Sequence, residues 1–169
     1  VVWWSGLFVA MFSPCDCDAY LIFMEPRADR NAADVVKIIH FTTIDSTNAE
    51  LSRMAQASHL DPWTVVVADH QSAGRGRQGR SWNSDAGAGL WASVLVELED
   101  CPEPGWLPLI AGLSVVAALN QFTTAHIGVK WPNDVVVADR KLAGILTEAL
   151  SRTSRYIVGI GINFESNIY

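Results

Sequence analysis

Apolar residues recur along the chain in two periods, and the switches between them outline its elements. VVKIIHFTT (35–43) alternates β-branched residues and predicts a strand. It runs into DSTNAELSRMAQA (45–57), where Leu51, Met54 and Ala55 form one apolar stripe at helical spacing and Thr47-x-x-Glu50 has the form of a capping box. DPW punctuates, and TVVVAD (64–69) predicts a short buried strand before a polar, glycine-rich loop from His70 to about Gly89. LWASVLVEL (90–98) is another strand, CPEPGWLP breaks the chain, and LIAGLSVVAALNQF (109–122) is apolar and long enough for a buried helix. IGVKWP, DVVVA and KLAGILTEAL follow at meander spacing, with turns placed at Pro132-Asn133 and Asp139-Arg140, and RYIVGIGINF (155–164) is the last strand. The order implies an α/β fold of α+β type, with helices flanking a mixed sheet that is largely antiparallel in its second half.

Composition narrows this picture. Half of the 169 residues are hydrophobic, which suits one domain with a substantial core. A net charge of −6 argues against a broad nucleic-acid-binding face. Cys15, Cys17 and Cys101 form no disulfide framework and read as free thiols of a reducing, cytoplasmic compartment; the C-x-C pair alone is a poor metal site. The first 24 residues are apolar and aromatic, but their charge-free run is too short to span a bilayer and lacks basic flanks, so no membrane association is expected. Residues 1–34 read as an N-terminal extension, with Met24 a plausible initiator, and 35–169 as the functional domain, truncated directly after its last strand.

Against the acidic background, GRGRQGRSW (74–82) places three of the chain's twelve basic residues among three glycines. Arg75, Arg77 and Arg80 repel one another, and the glycines weaken any regular element. Gly74-x-Gly76-x-x-Gly79 fits the dinucleotide fingerprint literally, but SWNSDAGAG is a poor helix start. An RGG-like RNA-binding tract and a plain solvated loop are the other readings. The chemistry best suited to the pattern is an anion-binding loop, with backbone N–H groups freed by glycine and planar bidentate charge from arginine.

Taken in order, GRGRQGRSW, KWPND (130–134), RKLAGIL (140–146) and GIGIN (159–163), with Ser46-Thr47-Asn48 upstream, closely resemble the biotin protein ligases. The resemblance implies a fold related to class II aminoacyl-tRNA synthetases and a two-step reaction. Biotin and ATP give biotinyl-AMP, and the biotinyl group then passes to a lysine of a biotin carboxyl carrier domain. Lipoate-protein ligases share fold and chemistry and are the nearest alternative; a non-catalytic anion- or RNA-binding module is the alternative from another class. Gln78 stands where the family often has another arginine. No winged-helix segment precedes the domain, so DNA binding is not expected, and a homodimer is possible.

The family pattern also implies roles. Ser46, Thr47 and Gln71, with the backbone at Gly74, Arg75 and Gly144, would hold biotin. Lys141 would contact the biotin carboxylate and the α-phosphate, and with Arg77 and Lys130 it makes up the catalytic set. Arg77, Arg80, Trp82, Lys130, Asn133, Asp134, Gly161 and Asn163 would bind ATP, with Gly159 beside them and Asp134 a ligand for Mg²⁺. Plainer readings stand alongside: a helix cap for Ser46 and Thr47, hairpin chemistry for Pro132-Asn133-Asp134, and ordinary strand glycines at 159 and 161.

Overall fold

Residues 36–98, 103–151 and 153–164, the part described by the computed structural model, build one seven-stranded sheet with a helix on each face. The elements are β1 (Lys37–Ile44), α1 (Thr47–Ala57), β2 (Thr64–Gln71), β3 (Gly89–Glu97), α2 (Leu107–Leu119), β4 (Ile127–Lys130), β5 (Asp134–Val137), β6 (Arg140–Ala149) and β7 (Arg155–Asn163). In space the strands run β1-β2-β3-β7-β6-β5-β4. Only β1 and β2 are parallel, because α1 is the crossover between them; all other pairings are antiparallel. The expected mixed sheet is thus observed. The N-terminal extension and all three cysteines lie outside the described residues. Among those described, no helix is long and apolar enough to cross a membrane.

Alternation assigns the two faces. Leu90, Ala92, Val94 and Val96 of β3 pack with Ala111 and Val115 of α2, joined by Ala143, Ile145, Val158 and Ile162. Leu95 points the other way, into a second core with Leu51 of α1, Val66 and Ile157. The residues between the α2-facing positions of β6 and β7, among them Gly144, Gly159 and Gly161, therefore line the α1 side. That face carries the polar chemistry.

Three local expectations need correction. The capping box does not form. Ser46 is the N-cap residue but its side chain makes no capping bond, and Thr47 N–H donates instead to Gln71 Oε1 at 2.7 Å. Glu50 pairs with Arg53, which also grips Asp45. The β5–β6 turn is centred on Ala138 and Asp139, both at positive φ (46° and 60°), so Arg140 already pairs with Val137 in the ladder. α2 begins two residues before the expected start: Pro108 sits in its first turn, where no backbone donor is needed.

The Arg53 clamp fixes the start of α1 and has a pH signature. Arg53, by hydrogen bond and charge, lowers the Asp45 carboxyl from 3.8 to about 2. A depressed carboxyl stabilises the fold above its unfolded value and loses that contribution as pH falls through the folded one. The urea midpoint is expected to drop between about pH 4 and 2. In Arg53→Met that acid-dependent decrement should shrink; an unchanged profile would show that the clamp contributes nothing.

Candidate active site

The floor of the site is backbone. Gly144 and Gly161 are register partners across β6 and β7. A Cβ on Gly144 would fall 2.7 Å from the Trp82 ring, and one on Gly161 2.6 Å from it. The indole thus rests on the two residues whose side chains are missing. Its other neighbours are Trp91, edge-on at 6.3 Å and 73°, and the Lys141 ammonium, 4.9 Å from the ring centroid. The buried Trp82 Nε1 has no hydrogen-bond acceptor among the described residues. Trp82 therefore spans Gly144 of β6 and Gly161 of β7.

The N-terminus of α1 forms one wall. Thr47 donates from backbone and hydroxyl to Gln71 Oε1, at 2.7 and 3.1 Å, and Gln71 Nε2 donates to Ser84 Oγ at 2.7 Å. Ser93 Oγ, buried on β3, reaches both Thr47 Oγ1 at 2.7 Å and Asn48 Oδ1. Asn48 lies over Gly159, where a Cβ would come within 2.2 Å of its Oδ1. Ser46 is buried at the same end, its N–H bonded to Asp45. Gly74 closes the wall: its carbonyl accepts from Trp82 N–H at 2.8 Å, and a Cβ there would sit 2.4 Å from the Trp82 carbonyl.

The arginine loop folds back as a small hairpin, with Arg75 bridged to Ser81 and Gly76 N–H donating to Arg80 O at 2.7 Å. Its tip is a two-residue turn with Gln78 (φ 58°) and Gly79 (φ 74°) both left-handed. No helix follows, so the dinucleotide reading fails. Arg75 to Arg80, Leu146 and Glu148 line a cleft of about 510 Å³. Arg75 Nη2 donates to Glu148 Oε2 at 2.7 Å, and Arg77 Nη1 to Asn133 Oδ1 at 3.0 Å. Arg80 is exposed, and its side chain has no hydrogen bond or ion pair among the described residues.

KWPND and RKLAGIL meet at the other end. Asn133 is locked to β6, its Nδ2 donating to Ile145 O at 2.9 Å. Lys141 Nζ stands 2.7 Å from Asp134 Oδ1. That buried oxygen nevertheless meets no donor in hydrogen-bond alignment, so the contact is one of charges rather than a directed bond. Asn163 Nδ2 reaches Lys141 O at 3.3 Å. Lys130 pairs with Asp134 in the β4–β5 ladder, but its ammonium is exposed and makes no ion pair among the described residues. The geometry thus gathers Thr47, Gln71, Gly74, Arg75, Arg77, Trp82, Asn133, Asp134, Lys141, Gly144, Gly161 and Asn163 on one face, while Lys130 and Arg80 stand free at its rim. It adds Asn48, Ser84, Trp91, Ser93 and Glu148. Ser93 and Glu148 could have been flagged as polar residues interrupting apolar strands.

A family model described as "Biotin/lipoate A/B protein ligase family" matches residues 40–165. The chain is 45% identical over 124 residues to a Mycobacterium tuberculosis protein named biotin--[acetyl-CoA-carboxylase] ligase, a match covering 70% of this chain and 46% of that one. Among solved structures it resembles biotin protein ligase from Aquifex aeolicus in complex with biotin and ATP (38% identity, TM-score 0.69, 79% of this chain and 54% of that). It also resembles the Leishmania major biotin protein ligase in complex with biotinyl-5-AMP (29% identity, TM-score 0.65, 79% of this chain and 59% of that). The chain spans about half the length of these relatives.

Proposed function

The chain belongs to the biotin/lipoate A/B protein ligase family, and from that premise we propose that it activates biotin with ATP and transfers the biotinyl group to a lysine of a biotin carboxyl carrier domain. In the first step a biotin carboxylate oxygen attacks the α-phosphorus of ATP, and pyrophosphate leaves. In the second the carrier's lysine amine attacks the acyl carbon of biotinyl-AMP, loses its proton to water, and AMP leaves. A carboxylate is already a nucleophile, so the first step needs two anions brought together more than it needs a base.

The observation that carries this reading is the position of Lys141. Its ammonium is partnered by a carboxylate at 2.7 Å, directly above the Trp82 ring on the Gly144–Gly161 floor. A biotin carboxylate and an α-phosphate would take the place of that partner. Asp134, with one oxygen lacking an aligned donor, would then offer a single ligand to Mg²⁺, in keeping with an ion held mainly by phosphates. Arg77 and Arg80 line the cleft and would meet the remaining phosphate charge, Lys130 would reach in from the rim, and Asn163 and Gly161 would border the base. Thr47, Gln71, Gly74 and Ser46 form the polar end suited to a ureido ring.

Transfer is checked by incubating the protein with ATP, biotin and a purified carrier domain. The carrier should become streptavidin-reactive, and a carrier whose acceptor lysine is replaced should not. Labelling indifferent to that lysine would overturn the transfer step.

Arg77 ties the loop to Asn133 across the cleft. Arg77→Ala should still form adenylate but release it about 10- to 100-fold faster, the scale of a lost charged hydrogen bond. Rapid filtration of labelled biotinyl-AMP measures this, and wild-type retention would show that the loop does not hold the intermediate.

A further inference from the structure

Glu148 is an acid on the wall of a cleft whose proposed substrates are both anions. It is held in place from two sides. Its Oε2 accepts from Arg75 Nη2 at 2.7 Å and from Asn48 Nδ2 at 2.8 Å. Asn48 is itself fixed by Ser93 Oγ and by the bare backbone of Gly159 beneath it. The carboxylate is therefore anchored to the sheet and draws the loop toward itself.

The three loop guanidiniums consequently have different surroundings. Arg75 is neutralised by Glu148, Arg77 faces a neutral amide oxygen, and Arg80 is exposed. Resting on the function proposed above, we propose that Glu148 is a positioning residue that partitions the charge of the loop. It keeps Arg75 as an anchor and confines polyphosphate attraction to the Arg77–Arg80 end, leaving the Arg75 end to biotin. Without it three uncompensated cations would line one cleft, and a polyphosphate could settle across the biotin end.

The test uses the full 169-residue chain with inorganic pyrophosphate as the probe, in calorimetric titrations at low salt that require no catalysis. Glu148→Gln keeps a side chain that can accept one of the two hydrogen bonds but removes the charge. It should bind pyrophosphate about 5- to 10-fold more tightly, with steeper salt dependence, as an added charge-assisted contact would. Arg75→Gln should bind it more weakly than the wild type, because it leaves the Glu148 carboxylate uncompensated on the cleft wall. Combining Arg75→Gln with Glu148→Gln should abolish the gain. In biotin-dependent adenylation Glu148→Gln should raise the biotin KM while changing kcat little. Pyrophosphate affinity unchanged in folded Glu148→Gln, or unchanged in Arg75→Gln, would overturn the assignment. The second arm stands even if the first variant does not fold. Absence of biotin-dependent exchange in the wild type would defeat the proposed function and leave these titrations to decide the role of Glu148.

Discussion

Lys141→Ala is expected to lower biotin-dependent adenylate formation by about 10²–10³-fold, the cost of removing one preorganised charge donor from a reacting centre. Its ammonium is the cation nearest the carboxylate of Asp134 and the face of Trp82, so no neighbouring group replaces it. Lys130 and Arg80 lie at the rim, and Arg77 is turned to Asn133. Lys141→Arg should rescue little, because a planar fork spreads its charge over three nitrogens and does not reproduce a compact ammonium at the reacting oxygens. Single-turnover formation of biotinyl-AMP gives the rate directly. The variant should fold normally, since a side chain 40% exposed and tied to one ion partner contributes little stability. A rate within threefold of wild type, roughly 0.7 kcal/mol, would remove Lys141 from the chemistry.

The second large effect comes from a single methyl group. In Gly161→Ala the new Cβ would lie 2.6–2.7 Å from three atoms of the Trp82 ring. The ring has Trp91 and Lys141 as its other neighbours, so it must shift or the strands must part. Overpacking of this kind costs about 1–3 kcal/mol. A chain of this size should lose about 2–4 °C of melting temperature per kcal/mol. A displaced Trp82 also disturbs the platform under both substrates, and KM for biotin and for ATP should rise together by about tenfold, the equivalent of 1.4 kcal/mol. Gly128→Ala on β4, where a Cβ meets nothing within 4 Å, is the matched control and should change neither. Equal behaviour of the two variants would mean that the close approach of Trp82 to the sheet has no functional weight.

What the sequence disclosed follows from how local each signal is. The strands were legible because β3, β6 and β7 keep a strict alternation between two buried faces, and α1 because Leu51, Met54 and Ala55 recur at helical spacing. A mixed sheet, largely antiparallel in its second half, followed from the order of strands and helices. The capping box misled because Thr47 has a better partner in Gln71, 24 residues away, which no local pattern can show. The turn at Ala138-Asp139 was misplaced by one residue because neither residue advertises a left-handed backbone as Asn-Gly would. Gathering the site residues on one face required the fold. Arg75 and Glu148 are 73 residues apart and Asn48 and Glu148 are 100 apart, and only the β3-β7-β6 order brings them together. The arginine loop was visible as an anion binder. That one of its arginines is already neutralised was not.

The central claim is biotin activation, and ATP–pyrophosphate exchange tests it most directly. With labelled pyrophosphate, ATP and Mg²⁺, label should enter ATP when biotin is added and not when lipoate is added, and Lys141→Ala should slow it by about 10²–10³-fold. Exchange that depends on lipoate and ignores biotin would contradict the account.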